Sequence, residues 1–115
     1  MRGFVGAVVL AGVATPVAAQ DCAPIRFARG SSGAEVQGVV QPESQVCHSI
    51  EVAVGQQMRL SVTGSAADLA FTVIDEADNR SELSFTTRQT RYEILVHQTF
   101  RSVAPASYVL SVAVD

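Results

Sequence analysis

The fold class of this chain is decided by residues 50–63, which read Ile50-Glu51-Val52-Ala53-Val54-Gly55-Gln56-Gln57-Met58-Arg59-Leu60-Ser61-Val62-Thr63. Apolar and polar residues alternate on both sides of a break at Gly55. Alternation with a period of two is typical of β-strands that turn one face to a core. A three-residue connection that contains glycine, placed between two such strands, predicts a β-hairpin.

The same alternation recurs elsewhere in the chain, most clearly in Tyr92–Val96 and in Tyr108–Val114. Further strands are predicted at Ile25–Ala28, Glu35–Val40 and Leu69–Ile74, and around Leu83 and Phe85. The polar segments between them are predicted to be surface loops: Gly64–Asp68, Asp75–Ser81 and Thr99–Ala106.

Two of these strands have distinctive features. Leu69–Ile74 is apolar on both faces, which predicts a central strand, and Gly38 inside its strand indicates a bulge or a close approach of backbone. About eight short strands separated by turns favour an all-β fold, an antiparallel β-sandwich of two packed sheets.

Residues 1–19 are predicted to be a signal peptide for export. Arg2 precedes a largely apolar run from Phe4 to Val13, and Val17-Ala18-Ala19 supplies the small residues of a cleavage site. The run is shorter than the ~20 residues that span a bilayer. The alternative is a buried helix of the mature fold. Cleavage would leave one domain, residues 20–115, in the periplasm or secreted, with no membrane insertion.

The charge balance is mildly acidic. The eight basic residues are all arginine and stand against 11 acidic residues. No basic patch is visible, which argues against nucleic acid as a partner. A mildly acidic net charge is compatible with a basic protein partner because opposite net charges speed encounter. The alternative is that this charge serves solubility only.

Cys22 and Cys47 are predicted to form a structural disulfide. An even number of cysteines in a small exported domain is typical of such a bond. In the chain-entropy model, closing this loop stabilises the fold by about 3.5 kcal/mol. A metal site is the alternative, but neither cysteine has a second one nearby in sequence.

The residues of the chain do not form a pattern typical of catalysis. His48 and His97 each lie in or beside a predicted strand, and no serine occupies a nucleophile turn. The acidic segment Asp75–Asn79 lacks the glycine and the alternating ligands of a calcium loop. We therefore expect a binding protein, not an enzyme, with no cofactor and no metal.

The candidate partner-binding residues are Arg88, Arg91, Tyr92 and Arg101. Arginine and tyrosine are enriched at interface hot spots. Arg88 and Arg91 precede or begin the strand at Tyr92, whereas Arg101 follows it, so the three arginines need not form one patch. The alternative is that Tyr92 begins a core face and the arginines are merely solvated.

The mature chain as a whole resembles two groups of exported bacterial proteins: the periplasmic inhibitors of g-type lysozyme and the pre-peptidase C-terminal domains. Low-information segments in a consistent order carry this resemblance: Ile25-Arg26-Phe27-Ala28-Arg29-Gly30, Ala34-Glu35-Val36-Gln37-Gly38, Val54-Gly55-Gln56-Gln57-Met58-Arg59-Leu60-Ser61-Val62, Tyr92-Glu93-Ile94-Leu95-Val96 and Ala106-Ser107-Tyr108-Val109-Leu110-Ser111-Val112.

The resemblance implies two candidate functions. The first is a lysozyme inhibitor that inserts the loop before Tyr92 into the enzyme cleft. Lysozyme inhibitors carry a Ser-Gly-x-Tyr signature there, whereas this chain has Gln89-Thr90-Arg91-Tyr92, and threonine resists the positive φ that glycine accepts. The second is an accessory module that binds carbohydrate or a periplasmic protein.

Overall fold

The structure is a computed structural model that describes residues 21–100 and 103–115. The predicted signal peptide therefore lies outside the described residues. Nine strands occur in the described part: β1 Ala23–Pro24, β2 Gly33–Val40, β3 Gln45–Glu51, β4 Gln57–Gly64, β5 Leu69–Val73, β6 Ala77–Arg80, β7 Glu82–Thr86, β8 Arg91–Gln98 and β9 Ala106–Val114. Within these same residues, no helix is long and apolar enough to cross a membrane.

The strands form two sheets. One has four strands in the order β2-β9-β4-β7, and the other has five in the order β1-β3-β8-β5-β6. All pairings are antiparallel except the short parallel contact of β1 with β3. The predicted all-β sandwich is confirmed.

The core lies between the sheets and is built from the alternating residues of each strand. In β9 every second residue is buried, from Ala106 through Leu110 to Val114. Strand β5 is buried at four of its five positions and pairs with a strand on each side, as its apolar character predicted. Phe71 and Ile94 are fully enclosed, each with 0% of its surface exposed.

The prediction of a hairpin over residues 50–63 is wrong. Strand β3 ends at Glu51 and belongs to the five-stranded sheet, whereas β4 begins at Gln57 and belongs to the four-stranded sheet. Both strands already have a neighbour on each side, so they cannot pair with each other. Residues 52–56 therefore arch from one sheet to the other. Alternation identified the buried face of each strand correctly, but it does not specify the partner strand.

Two other segments differ from expectation. The strand predicted at Ile25–Ala28 is wrong: the strand here is the two-residue Ala23–Pro24, which ends just before it. Only the Ile25 N–H continues the pairing, donating to the Ser49 carbonyl at 2.7 Å. The loop predicted at Asp75–Ser81 contains strand β6. Positive φ angles at Asp75 and Asn79, 71° and 54°, give the chain its sharp reversals there.

The disulfide between Cys22 and Cys47 is confirmed. It joins the residue before β1 to the middle of β3, and Cys47 is buried. The bond therefore holds the start of the described chain against the edge of the five-stranded sheet.

A buried polar pair connects the two sheets. His48 Nε2 and the Tyr108 hydroxyl lie 2.8 Å apart, and their rings meet edge to face. Gly38 makes room for this contact, since a Cβ at that position would lie 2.5 Å from the Tyr108 hydroxyl. Of the two alternatives for Gly38, a bulge or a close approach, the structure shows a close approach.

The buried position of His48 predicts that acid destabilises the fold. Burial lowers the pKa of His48 below its ordinary value. As the pH falls below about 6.5, the unfolded chain takes up the proton before the folded one, so stability is lost. We expect the urea midpoint to fall between pH 7.5 and pH 5.5, and the variant His48→Gln to show a flatter dependence. An equal dependence in both proteins would contradict the assignment to His48.

Candidate binding end of the sandwich

Two connections between the sheets lie side by side at one end of the molecule. One is residues 52–56, and the other is residues 87–90, which join β7 to β8; we refer to the pair as the double arch. Three backbone hydrogen bonds join them: Val52 N–H to Thr90 O at 3.0 Å, Gly55 N–H to Thr87 O at 2.9 Å, and Thr87 N–H to Gln56 O at 2.7 Å.

The side chain of Thr87 links the two connections further. Its hydroxyl donates to the Ala53 carbonyl at 2.6 Å and accepts the Gln56 N–H at 2.8 Å. Thr87 is only 1% exposed. Gly55 adopts φ = 91°, a conformation that glycine accepts without steric cost. The double arch is therefore held by a dense set of internal bonds.

Tyr92 lies beneath the double arch, inside the protein. Its side chain is buried, and its ring packs edge to face against Phe85 with centroids 5.3 Å apart. The phenolic oxygen accepts the backbone N–H groups of Arg88 at 2.9 Å and Gln89 at 3.2 Å. Tyr92 therefore supports the loop from inside, as in the alternative that it begins a core face, and its contact with a partner stays a prediction.

The loop before Tyr92 does not need the glycine of the lysozyme-inhibitor signature. Among the described non-glycine residues, positive φ occurs only at Glu43, Asp75 and Asn79. Thr90 therefore avoids the left-handed region that its side chain would resist. The departure from Ser-Gly-x-Tyr causes no backbone strain at this position.

Arg88 projects from the double arch into solvent. Its side chain is 71% exposed, and Nη2 donates to Glu76 Oε1 at 2.8 Å. The hydrogen bond and charge of Glu76 raise the pKa of Arg88. Glu76 follows β5 and is itself only 16% exposed, so the guanidinium is held by a largely enclosed carboxylate.

Arg91 lies on the outer face of the five-stranded sheet. Its Nη1 donates to Glu93 Oε2 at 2.7 Å, and its register partner on β3 is Glu51. Arg91 is thus close to Arg88 in the chain but surrounded by acidic groups on the sheet face.

Arg101 lies outside the described residues. Its neighbour Phe100 donates its N–H to Asp68 Oδ2 at 3.1 Å. Phe100 follows the C-terminal end of β8, whereas Arg88 precedes the N-terminal end of the same strand. The eight residues of β8 span about 26 Å. The grouping of Arg101 with Arg88 and Arg91 stays a prediction.

The cysteines and histidines of the described part have partners within the fold. Sulfur atoms of Cys22 and Cys47 lie within 4.8 Å of a Glu93 oxygen, but the disulfide leaves them no thiolate to offer a metal. The histidines bond to a tyrosine and a threonine, His48 to Tyr108 and His97 to Thr72.

A shallow depression of about 980 Å³ crosses the outer face of the four-stranded sheet. Its floor contains one row of paired residues, one from each of the four strands: Glu35, Ser111, Ser61 and Glu82. Both tyrosines of the chain are buried, so neither can serve as a stacking platform for a sugar. The aromatic surface that would favour the carbohydrate-binding alternative is not provided by this face.

Comparison with solved structures identifies the fold. PliG of Aeromonas hydrophila, a periplasmic inhibitor of g-type lysozyme, matches with a TM-score of 0.72 at 18% identity, over 82% of this chain and 96% of that one. The chain has the fold of the PliG inhibitors. PliG of Salmonella Typhimurium matches with a TM-score of 0.67 at 16% identity, over 84% of this chain and 100% of that one.

A third match is a PliG mutant from Escherichia coli, also a periplasmic inhibitor of g-type lysozyme. Its TM-score is 0.63 at 18% identity, over 81% of this chain and 96% of that one. No family model matches the sequence, and no curated protein matches it significantly. The resemblance to the inhibitors is confirmed for the fold, whereas the resemblance to pre-peptidase C-terminal domains stays a prediction.

Sequence reasoning missed two residues of the double arch. The alternation predicts that Val54 continues the strand of Ile50, but Val54 lies in the arch and is 61% exposed. Thr87 carried no signal, because its hydrogen bonds depend on the proximity of residues 34 and 31 positions away in the chain. In the sequence, Gly55 beside Val54 is the local signal of a turn.

Proposed function

We propose that this protein is an exported, periplasmic binding protein that inhibits a lysozyme and has no enzymatic activity of its own. The observation that carries the proposal is the fold shared with three structures, each a periplasmic inhibitor of g-type lysozyme, over 81–84% of this chain. The net charge of −3 supports a basic partner.

The double arch supplies the inhibitory element in this proposal. It projects at one end of the sandwich, is fixed by internal hydrogen bonds, and carries the exposed cation of Arg88. Lysozymes cleave with acidic groups in a cleft, and an arginine can pair with such a carboxylate. Glu76 restricts the guanidinium before binding, which reduces the conformational entropy lost on association.

The direct test is inhibition of g-, c- and i-type lysozymes by the purified protein. We expect inhibition of at least one type at sub-micromolar concentration, measured by the lysis of bacterial cell walls. Absence of inhibition of all three types at micromolar concentration would contradict the proposal.

The role of Arg88 gives a quantitative prediction. Arg88→Ala is expected to raise the inhibition constant about 30-fold, since loss of an interface hot spot costs about 2 kcal/mol. The matched control is Arg80→Ala on edge strand β6, another exposed arginine, which we expect to change the constant less than twofold. Equal effects of the two substitutions would show that only the overall charge matters.

A further inference from the structure

Val54 is an apolar residue that the double arch exposes. It lies at the centre of residues 52–56 and is 61% exposed. Alternation with Ile50 would turn it to the core, but the chain has already left β3 at Glu51. The arch therefore displays the side chain that a continued strand would bury.

The backbone on both sides of Val54 is fixed. The Ala53 carbonyl accepts the Thr87 hydroxyl, and the Ala53 N–H donates to Gln56 Oε1 at 2.9 Å. On the other side, the Gly55 N–H donates to the Thr87 carbonyl at 2.9 Å. Val54 cannot turn inward without breaking these bonds.

Val54 and the cation of Arg88 belong to the same end of the molecule. Gly55, next to Val54, bonds directly to Thr87, next to Arg88. The turn that holds Arg88 through Glu76 also carries Ile74, which is 38% exposed. The end thus combines an exposed apolar side chain, a partly exposed one and a fixed guanidinium.

We infer that Val54 is the apolar contact of the double arch and enters an apolar subsite of the enzyme cleft beside the carboxylate that Arg88 meets. This inference rests on the proposed function and adds the chemistry of the partner: the cleft must offer an apolar wall next to an acidic group. A branched side chain on a fixed arch loses little conformational freedom on binding. Most of the free energy gained by burying its apolar surface is therefore retained as affinity.

Two substitutions of Val54 test the inference. Val54→Ala should raise the inhibition constant about 10-fold, and Val54→Asp about 30-fold, because an aspartate would be desolvated next to the carboxylate of the enzyme. Neither should change the urea midpoint, since the side chain is exposed in the free protein.

The matched control is Val39→Asp. Val39 is a comparably exposed valine, at 53%, near the opposite end of the molecule, where the C-terminal end of β2 meets the start of β9. Its substitution should change the inhibition constant less than twofold. Unchanged inhibition by Val54→Asp, or equal losses in Val54→Asp and Val39→Asp, would overturn the role of Val54 while the inhibitor proposal stands. A wild-type protein that inhibits no lysozyme would overturn both.

Discussion

Replacing both cysteines by alanine, in the double variant Cys22→Ala/Cys47→Ala, is expected to lower the free energy of unfolding by about 3.5 kcal/mol. The two residues are 25 positions apart, and in the chain-entropy model a cross-link over such a loop restricts the unfolded state by about this amount. Small domains have about 5–15 kcal/mol of stability in total, so the loss is large.

The structure shows what the disulfide holds in place. Strand β1 has two residues and pairs with β3 at only two positions, Ala23 with His48 and Pro24 with Ser49. One further backbone bond follows at Ile25. So short a pairing is weak without the covalent bond, and the segment that covers this edge of the sheet should detach locally when the bond is absent.

Urea unfolding with and without reductant measures this effect. Reductant should lower the midpoint of the wild-type protein to about that of the double variant, and it should leave the double variant unchanged. A free energy of unfolding of the double variant within 1 kcal/mol of that of the oxidised wild type would contradict the prediction.

The strands could be predicted from sequence wherever one face of the strand meets the core. The period-two pattern of Tyr108–Val114 corresponds to β9, which alternates between buried and less buried residues along its whole length. The disulfide could also be predicted, because two cysteines in a small domain with a predicted signal peptide leave few alternatives. The strand signal lies within a short stretch of sequence, and the disulfide signal lies in the number of cysteines, so neither requires knowledge of contacts between distant residues.

Pairing of strands could not be predicted, since it depends on contacts between residues far apart in the chain. The alternation over residues 50–63 fits a hairpin as well as an arch, because both place Ile50 and Met58 in the core. The role of Tyr92 could not be predicted for the same reason. A tyrosine at the start of a strand can face a partner or support a loop, and only the bonds to Arg88 and Gln89 distinguish the two.

Thr87→Val is expected to lower the free energy of unfolding by about 2 kcal/mol. Valine has almost the shape of threonine but cannot replace the hydroxyl, so the Ala53 carbonyl and the Gln56 N–H both lose a partner. Leaving a fully buried polar group unsatisfied costs about 1–3 kcal/mol, and both of these groups are only partly buried, so each contributes near the lower end of that range. Thr87 is among the most enclosed residues of the described chain, so water cannot readily take the place of the hydroxyl.

The adjacent residue provides a matched control. Thr86 is exposed, and its hydroxyl donates to Gln57 Oε1 at 3.2 Å, so Thr86→Val should change stability by less than about 0.5 kcal/mol. Thr87→Ser retains the hydroxyl and should recover most of the loss. Urea unfolding of the three variants measures these differences. The comparison separates the contribution of the Thr87 hydroxyl to stability from the general effect of placing a valine at this end of β7.

Amide hydrogen exchange shows whether the loss arises in the double arch. In Thr87→Val the Gln56 amide should exchange faster, because it donates to the missing hydroxyl, whereas the Arg88 and Gln89 amides stay bonded to Tyr92 and should remain slow. An unchanged exchange rate of the Gln56 amide would show that the loss of stability does not arise in the double arch. If the double arch is the inhibitory element, the same variant should also inhibit lysozyme about 10-fold more weakly, since a loosened arch must be ordered again on binding.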